Sequence, residues 1–141
     1  MVIQPYLFFE GRCEEALDFY AKALGAKLEM KMRYSESPEG GGGCPQGMPA
    51  GTEKKIMHSA FKVGDNLIMA SDGMNSGKPS FSGVSLSIAA DDEAGAKKYF
   101  EALSQGGKVT QALTKTFFSP AFGMVTDKFG VSWMVMVNKT F

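Results

Sequence analysis

The chain has 141 residues, 44% hydrophobic and 21% charged, which is enough to bury a core and rules out wholesale disorder. Fifteen Lys and Arg balance fifteen Asp and Glu, and only Arg12 and Arg33 are arginines. This argues against a nucleic-acid binder, which needs a basic face and bidentate readout of guanine.

Residues 3–9, IQPYLFF, read as a strand whose beginning or edge is marked by Pro5. Residues 12–24 carry apolar side chains at 13, 16, 17, 20 and 24, a helical spacing, with Glu14 and Glu15 early, Lys22 late and Gly25 as the C-cap. Residues 26–35 alternate Leu28, Met30, Met32 and Tyr34 against Lys27, Glu29, Lys31 and Arg33, as a half-buried strand does. Residues 36–53 hold six glycines and three prolines. That composition reads as a long functional or mobile loop, expected to gate a cavity. Residues 56–63 and 67–71 flank Gly64-Asp65-Asn66 as a β-hairpin, and 72–80 form another loop.

The second half repeats the order. Residues 83–90 alternate as a strand, and 91–105 read as a helix with Asp91 or Asp92 as N-cap. Strands follow at 108–118, 121–126 and 131–137. Phe19-Tyr20 matches Tyr99-Phe100 at an offset of roughly eighty, an internal repeat. The fold class is α+β: two βαβββ modules, about 1–75 and 80–141 of a single domain, with curved mixed sheets around a shared cavity. Each module leaves sheet edges at its ends, so a homodimer that covers them is expected.

No apolar run approaches the ~20 residues of a membrane span. The opening Met-Val-Ile-Gln-Pro lacks the basic-then-apolar order of a signal peptide. A cytoplasmic protein with no membrane partner is expected, and Cys13 and Cys44 are read as reduced thiols.

Three stretches carry a resemblance: PYLFFEGRCEEALDFYAKALGA, MHSAFKVGDNLIMASDG and FGMVTDKFGVSWMV. They resemble PhnB-like proteins of the vicinal oxygen chelate superfamily, which includes glyoxalase I, bleomycin-resistance proteins and extradiol dioxygenases. The resemblance runs from about Ile3 to Val137. This group is also labelled 3-demethylubiquinone methyltransferase-like. The chain is too short for the common seven-stranded methyltransferase fold, and Gly11 stands alone after the first strand, so no such cofactor is expected.

Metal-dependent relatives use four His or Glu ligands, two from each half. The resemblance puts those positions on Pro5, on Met69 (or Ile68), on Gly83 and on Met134. Proline and glycine lack a donor side chain, and methionine offers only a soft thioether. His58 is the one histidine. No metal is therefore expected, and glyoxalase or dioxygenase chemistry is disfavoured.

Strand alternation groups Pro5, Leu7 and Phe9 with Met69 and Ser71, and Ser85 and Ser87 with Met134 and Met136. With Asp72 at the mouth, these are the expected ligand-binding residues. Val84, Leu86, Ile88 and Trp133 would pack on the helices. A lining of Met and Phe with a few hydroxyls suits a small, largely apolar molecule. The leading reading is binding without turnover.

The rival is an enzyme that uses His58 for proton transfer, with Ser71 or Asp72. A third is a regulatory or DNA-associated module, against which the charge balance weighs. Each candidate has a plainer structural reading. His58 can bond a neighbour, Asp72 can start a turn with Gly73, and Cys13 can be a buried small residue rather than a helix-activated thiol. Asp127-Lys128-Phe129-Gly130 reads as a structural turn, and the glycine run 40–43 lacks the ending of a phosphate-binding loop.

Overall fold

The structure, a computed structural model, describes residues 1–37 and 47–138. Residues 38–46, half of the glycine-rich stretch and Cys44 with it, lie outside the described residues, and so does the gating expectation. The chain divides into two compact units, Met1–Pro79 and Ser80–Phe141.

In the first unit the order is β1 (Tyr6–Phe8), α1 (Cys13–Leu24), β2 (Lys27–Arg33), β3 (Ile56–Val63) and β4 (Asn66–Ser71). Short 3₁₀ turns at Tyr34–Glu36 and Thr52–Lys54 lie between β2 and β3. The sheet order is β1-β4-β3-β2, with β1 parallel to β4 and the other pairs antiparallel. Helix α1 covers one face. Tyr20 stacks on Phe61 with ring centroids 5.9 Å apart and also meets Phe9. Gly25 ends the helix in the left-handed region at φ 69°, which a glycine adopts without a Cβ penalty.

The second unit repeats the plan: β5 (Ser85–Ala90), α2 (Glu93–Ser104), β6 (Lys108–Thr114), β7 (Phe122–Thr126) and β8 (Ser132–Val137). Its order is β5-β8-β7-β6, again with one parallel pair. Leu86 pairs with Trp133 and Ile88 with Val135 on the face that α2 covers. Gly123 lets α2 lie close: a Cβ there would sit 2.7 Å from the Phe100 ring. Asp127 is buried and accepts N–H groups from Phe129 (2.9 Å) and Val131 (3.1 Å) and the Trp133 indole N–H (2.8 Å). The Asp127–Gly130 turn is therefore structural, as read.

Two expectations change. β2 is a largely exposed edge strand rather than a half-buried one. A register shift between Leu28 and Met30 turns Leu28 toward the helix side while Met30 and Met32 face the other way. Val84 precedes β5 and is 64% exposed, so it does not pack on the helix. Among the described residues no helix is long and apolar enough to cross a membrane.

Candidate functional site

Each sheet has one face on its helix and one face that its own unit leaves uncovered. In the first unit the uncovered face follows from the register. Tyr6 lies beside Met69, Met69 beside Ala60, and His58 beside Met32. The Tyr6 hydroxyl and His58 Nδ1 are 2.8 Å apart across the sheet. Their rings stack at 5.5 Å, and Phe8 stacks on Tyr6 at 5.0 Å.

Burial pushes the Tyr6 phenol above its ordinary pKa, with the Ser71 hydroxyl pulling the other way. At neutral pH Tyr6 is thus a neutral phenol. When it donates to Nδ1, the proton of the neutral imidazole sits on Nε2. The result is an aromatic and thioether surface with one polar pair set into it.

The first strand departs from the expected grouping by one position. Leu7 pairs with Ala70 on the helix-covered face, and Leu7 and Phe9 are buried there. Pro5 precedes the strand, and its carbonyl accepts the Met69 N–H at 3.0 Å. That bond sets the parallel register, and a one-residue difference moves every side chain to the opposite face. Tyr6 and Phe8 therefore take the place assigned to Leu7 and Phe9.

Met69 lies beside Tyr6 on the uncovered face, opposite to Leu7 and Phe9. Ser71 lies beside Phe8, but it is buried and its hydroxyl accepts the Gly73 N–H at 3.0 Å. Asp72 is 1% exposed. Its carboxylate accepts N–H groups from Gly11 (2.9 Å), Cys13 (2.8 Å) and Ile56 (2.7 Å). Those bonds make it a tie between chain segments. Cys13 is fully buried with Sγ 3.8 Å from Ser59 Oγ. Burial first, and the nearby Asp72 charge second, push its thiol up to about 12. Desolvation outweighs the helix dipole, so the thiol is protonated and unreactive at neutral pH.

In the second unit Ser85, Ser87, Met134 and Met136 share the uncovered face, as expected. Ser85 pairs with Ser132, their hydroxyls 2.7 Å apart, and Ser87 pairs with Met134. Met124 lies beside Met134 and Phe122 beside Met136.

These features can be set beside known proteins. A profile of the 3-demethylubiquinone-9 3-methyltransferase family matches residues 1–136. Protein YjdN of Escherichia coli is 38% identical over 143 residues, covering 99% of this chain and 97% of the relative. The chain belongs to the 3-demethylubiquinone-9 3-methyltransferase family. Among solved structures, protein PA1353 of Pseudomonas aeruginosa is 39% identical with a TM-score of 0.83, covering 99% of each chain. The PhnB protein of Bacillus cereus, described as a putative 3-demethylubiquinone-9 3-methyltransferase, is 27% identical with a TM-score of 0.78, covering 97% and 99%. FosX of Mesorhizobium loti, a fosfomycin resistance protein, shares the fold at 11% identity, with a TM-score of 0.61 over 99% of this chain and 92% of that one. The family is thus PhnB-like and of the glyoxalase/bleomycin-resistance fold.

That fold carries a divalent ion in its metal-dependent members, and the donors present here do not suit one. Met69 and Met134 offer thioethers, Gly83 offers no side chain, and the Pro5 carbonyl is bonded to Met69. Among the described residues no three His, Cys, Asp or Glu side chains are grouped to hold an ion.

Proposed function

We propose that this PhnB-like chain is a metal-independent binder of a small, largely apolar molecule, held against the uncovered face of the first sheet. The observation that carries the reading is the Tyr6–His58 pair set among Phe8, Met32 and Met69. Apolar area holds such a ligand, and a small number of placed polar groups orient it. The Ser and Met side chains on the second sheet's uncovered face offer the same chemistry without an ionisable group. The working unit in this reading is a homodimer, and sedimentation at micromolar protein checks it: a single-chain mass independent of concentration rules it out.

Titration with naphthalene and 1-naphthol, followed by amide NMR, tests the binding. Both should give saturable shifts at Tyr6, His58 and Met69, with 1-naphthol the tighter. His58→Phe should keep naphthalene and lose the preference for 1-naphthol. Absence of saturable shifts on that face sinks the reading. Elemental analysis of chelator-free protein should give well under one equivalent of metal.

A second reading rests on the same hydrogen bond. In the other tautomer Nδ1–H donates to the Tyr6 oxygen, and the free Nε2 lone pair of a neutral His58 can take a proton from an acidic C–H bond of the ligand. Hydrogen–deuterium exchange into an enolisable aryl ketone should then depend on His58 and vanish in His58→Gln.

A further inference from the structure

A different part of the first unit holds a cleft of about 510 Å³, bounded by the start of α1, the end of β2 and the Thr52–Lys54 turn. None of the uncovered-face residues lines it. Three cations do: Arg33, Lys54 and Lys55. Two of them are fixed by the backbone. Arg33 donates to the Lys54 carbonyl at 2.7 Å, and Lys55 Nζ donates to the Gly11 carbonyl at 2.9 Å. With a second Arg33 N–H given to Glu14, these bonds leave three guanidinium N–H groups and two ammonium N–H groups.

Two carboxylates also line the cleft, and both are already answered. Glu14 accepts from Arg33 and from Lys31 (3.2 Å), and those bonds hold its carboxyl below the usual range. Asp72 accepts three backbone N–H groups. Among the described residues neither Lys54 nor Lys55 is paired with a carboxylate. The cleft therefore sets three cations against two carboxylates, with Arg33 and Lys55 held in place and Lys54 exposed at its edge, in a volume suited to a small organic molecule.

We infer that this cleft binds a small organic anion through a carboxylate or phosphate group, which Lys54, Lys55 and the free edge of Arg33 receive. Charge-assisted donors held in place lose little entropy on binding, and an oxyanion is their natural acceptor. This site is separate from the proposed apolar one, and either can fail alone.

The test is titration of the whole chain with inorganic phosphate in one arm and acetate in the other, read by amide NMR. Saturable shifts at Gly11, Arg33, Lys54 and Lys55 in either arm are expected, and the arm that saturates first names the group. Affinity should fall with added salt. Lys54→Met with Lys55→Met should weaken binding about tenfold or more, the loss of one to two charge-assisted bonds. Lys54→Met alone changes an exposed side chain with no hydrogen bond among the described residues, so it folds, and it should weaken binding severalfold. Linear shifts in both arms, or equal affinity in wild type and Lys54→Met, overturn the proposal. Shifts at Tyr6 and His58 instead would place the anion on the sheet and overturn it too.

Discussion

The two helices solve one problem in two ways. A helix leaves its first amides without partners inside the helix. Helix α2 meets this locally: Asp92, the residue before its first turn, accepts the Gly95 N–H at 2.7 Å. Helix α1 begins after Arg12, which gives no side-chain cap. Its acceptor is Asp72, 59 residues from Cys13 and 61 from Gly11 along the chain. The same carboxylate takes the Ile56 N–H at the start of β3. One cap closes a helix end. The other joins the β1–α1 turn, the start of β3 and the end of β4, and it is buried.

The largest expected effect follows from that difference. Asp72→Ala removes a buried acceptor from three N–H groups, and such a loss costs about 3–5 kcal/mol. Urea unfolding should show a much lower midpoint than for wild type. Asp72→Asn keeps an acceptor oxygen and should fall between the two. If Asp72→Ala is no worse than Asp92→Ala, the contrast between a tertiary and a local cap collapses.

The next effect concerns Cys13, beside the same carboxylate. Its thiol sits at about 12 in the fold against an ordinary value of 9.0. Between those values the native state keeps a proton that the unfolded chain has released. The unfolded state then binds fewer protons, so stability falls as pH rises. The contribution is whole below pH 9 and is lost by about pH 12. Cys13→Ala should flatten that alkaline decline in melts taken from pH 8 to pH 11. In a Cys44→Ser background, alkylation at pH 8 should proceed only as fast as the native state opens.

The same contrast marks how far sequence reasoning reaches. The strand–helix–strand–strand–strand order, its repetition and the Asp92 cap are local patterns, and each is legible in a window of a few residues. β3 was readable to the residue, because Gly64 and the hairpin turn fix its end. The pairing of Asp72 with Gly11 and Cys13 has no local signature, and its place at the end of a strand suggests only a ligand at the cavity mouth or a turn with Gly73. The parity of β1 was lost for a related reason. Three paired residues give too short an alternation to set the face, and the register comes from β4 across the sheet. The Tyr6–His58 contact and the Arg33–Lys55 cleft likewise assemble from segments far apart in the chain. In the second unit β8 alternates over six residues, long enough for the pattern itself to give Met134 and Met136 a common face.

The smallest effect is the control for the comparison. Asp92 is exposed, and its side chain serves the Gly95 N–H while the Ala96 N–H goes to its backbone carbonyl at 3.1 Å. Asp92→Ala removes only the side-chain bond and leaves a solvent-accessible amide, which water satisfies. The expected cost is about 1 kcal/mol, the usual worth of an N-cap. Asp92→Ser should recover most of it, because a hydroxyl accepts from the same amide. The change should also stay local. Native-state hydrogen exchange should quicken at Gly95, while Trp133 and Val135 keep their protection, since fraying of one turn does not open the sheet. In Asp72→Ala, protection should fall together around Cys13, Ile56 and Ala70, because one carboxylate holds all three segments. A purely local response to Asp72→Ala, or a unit-wide response to Asp92→Ala, would reverse the roles of the two caps.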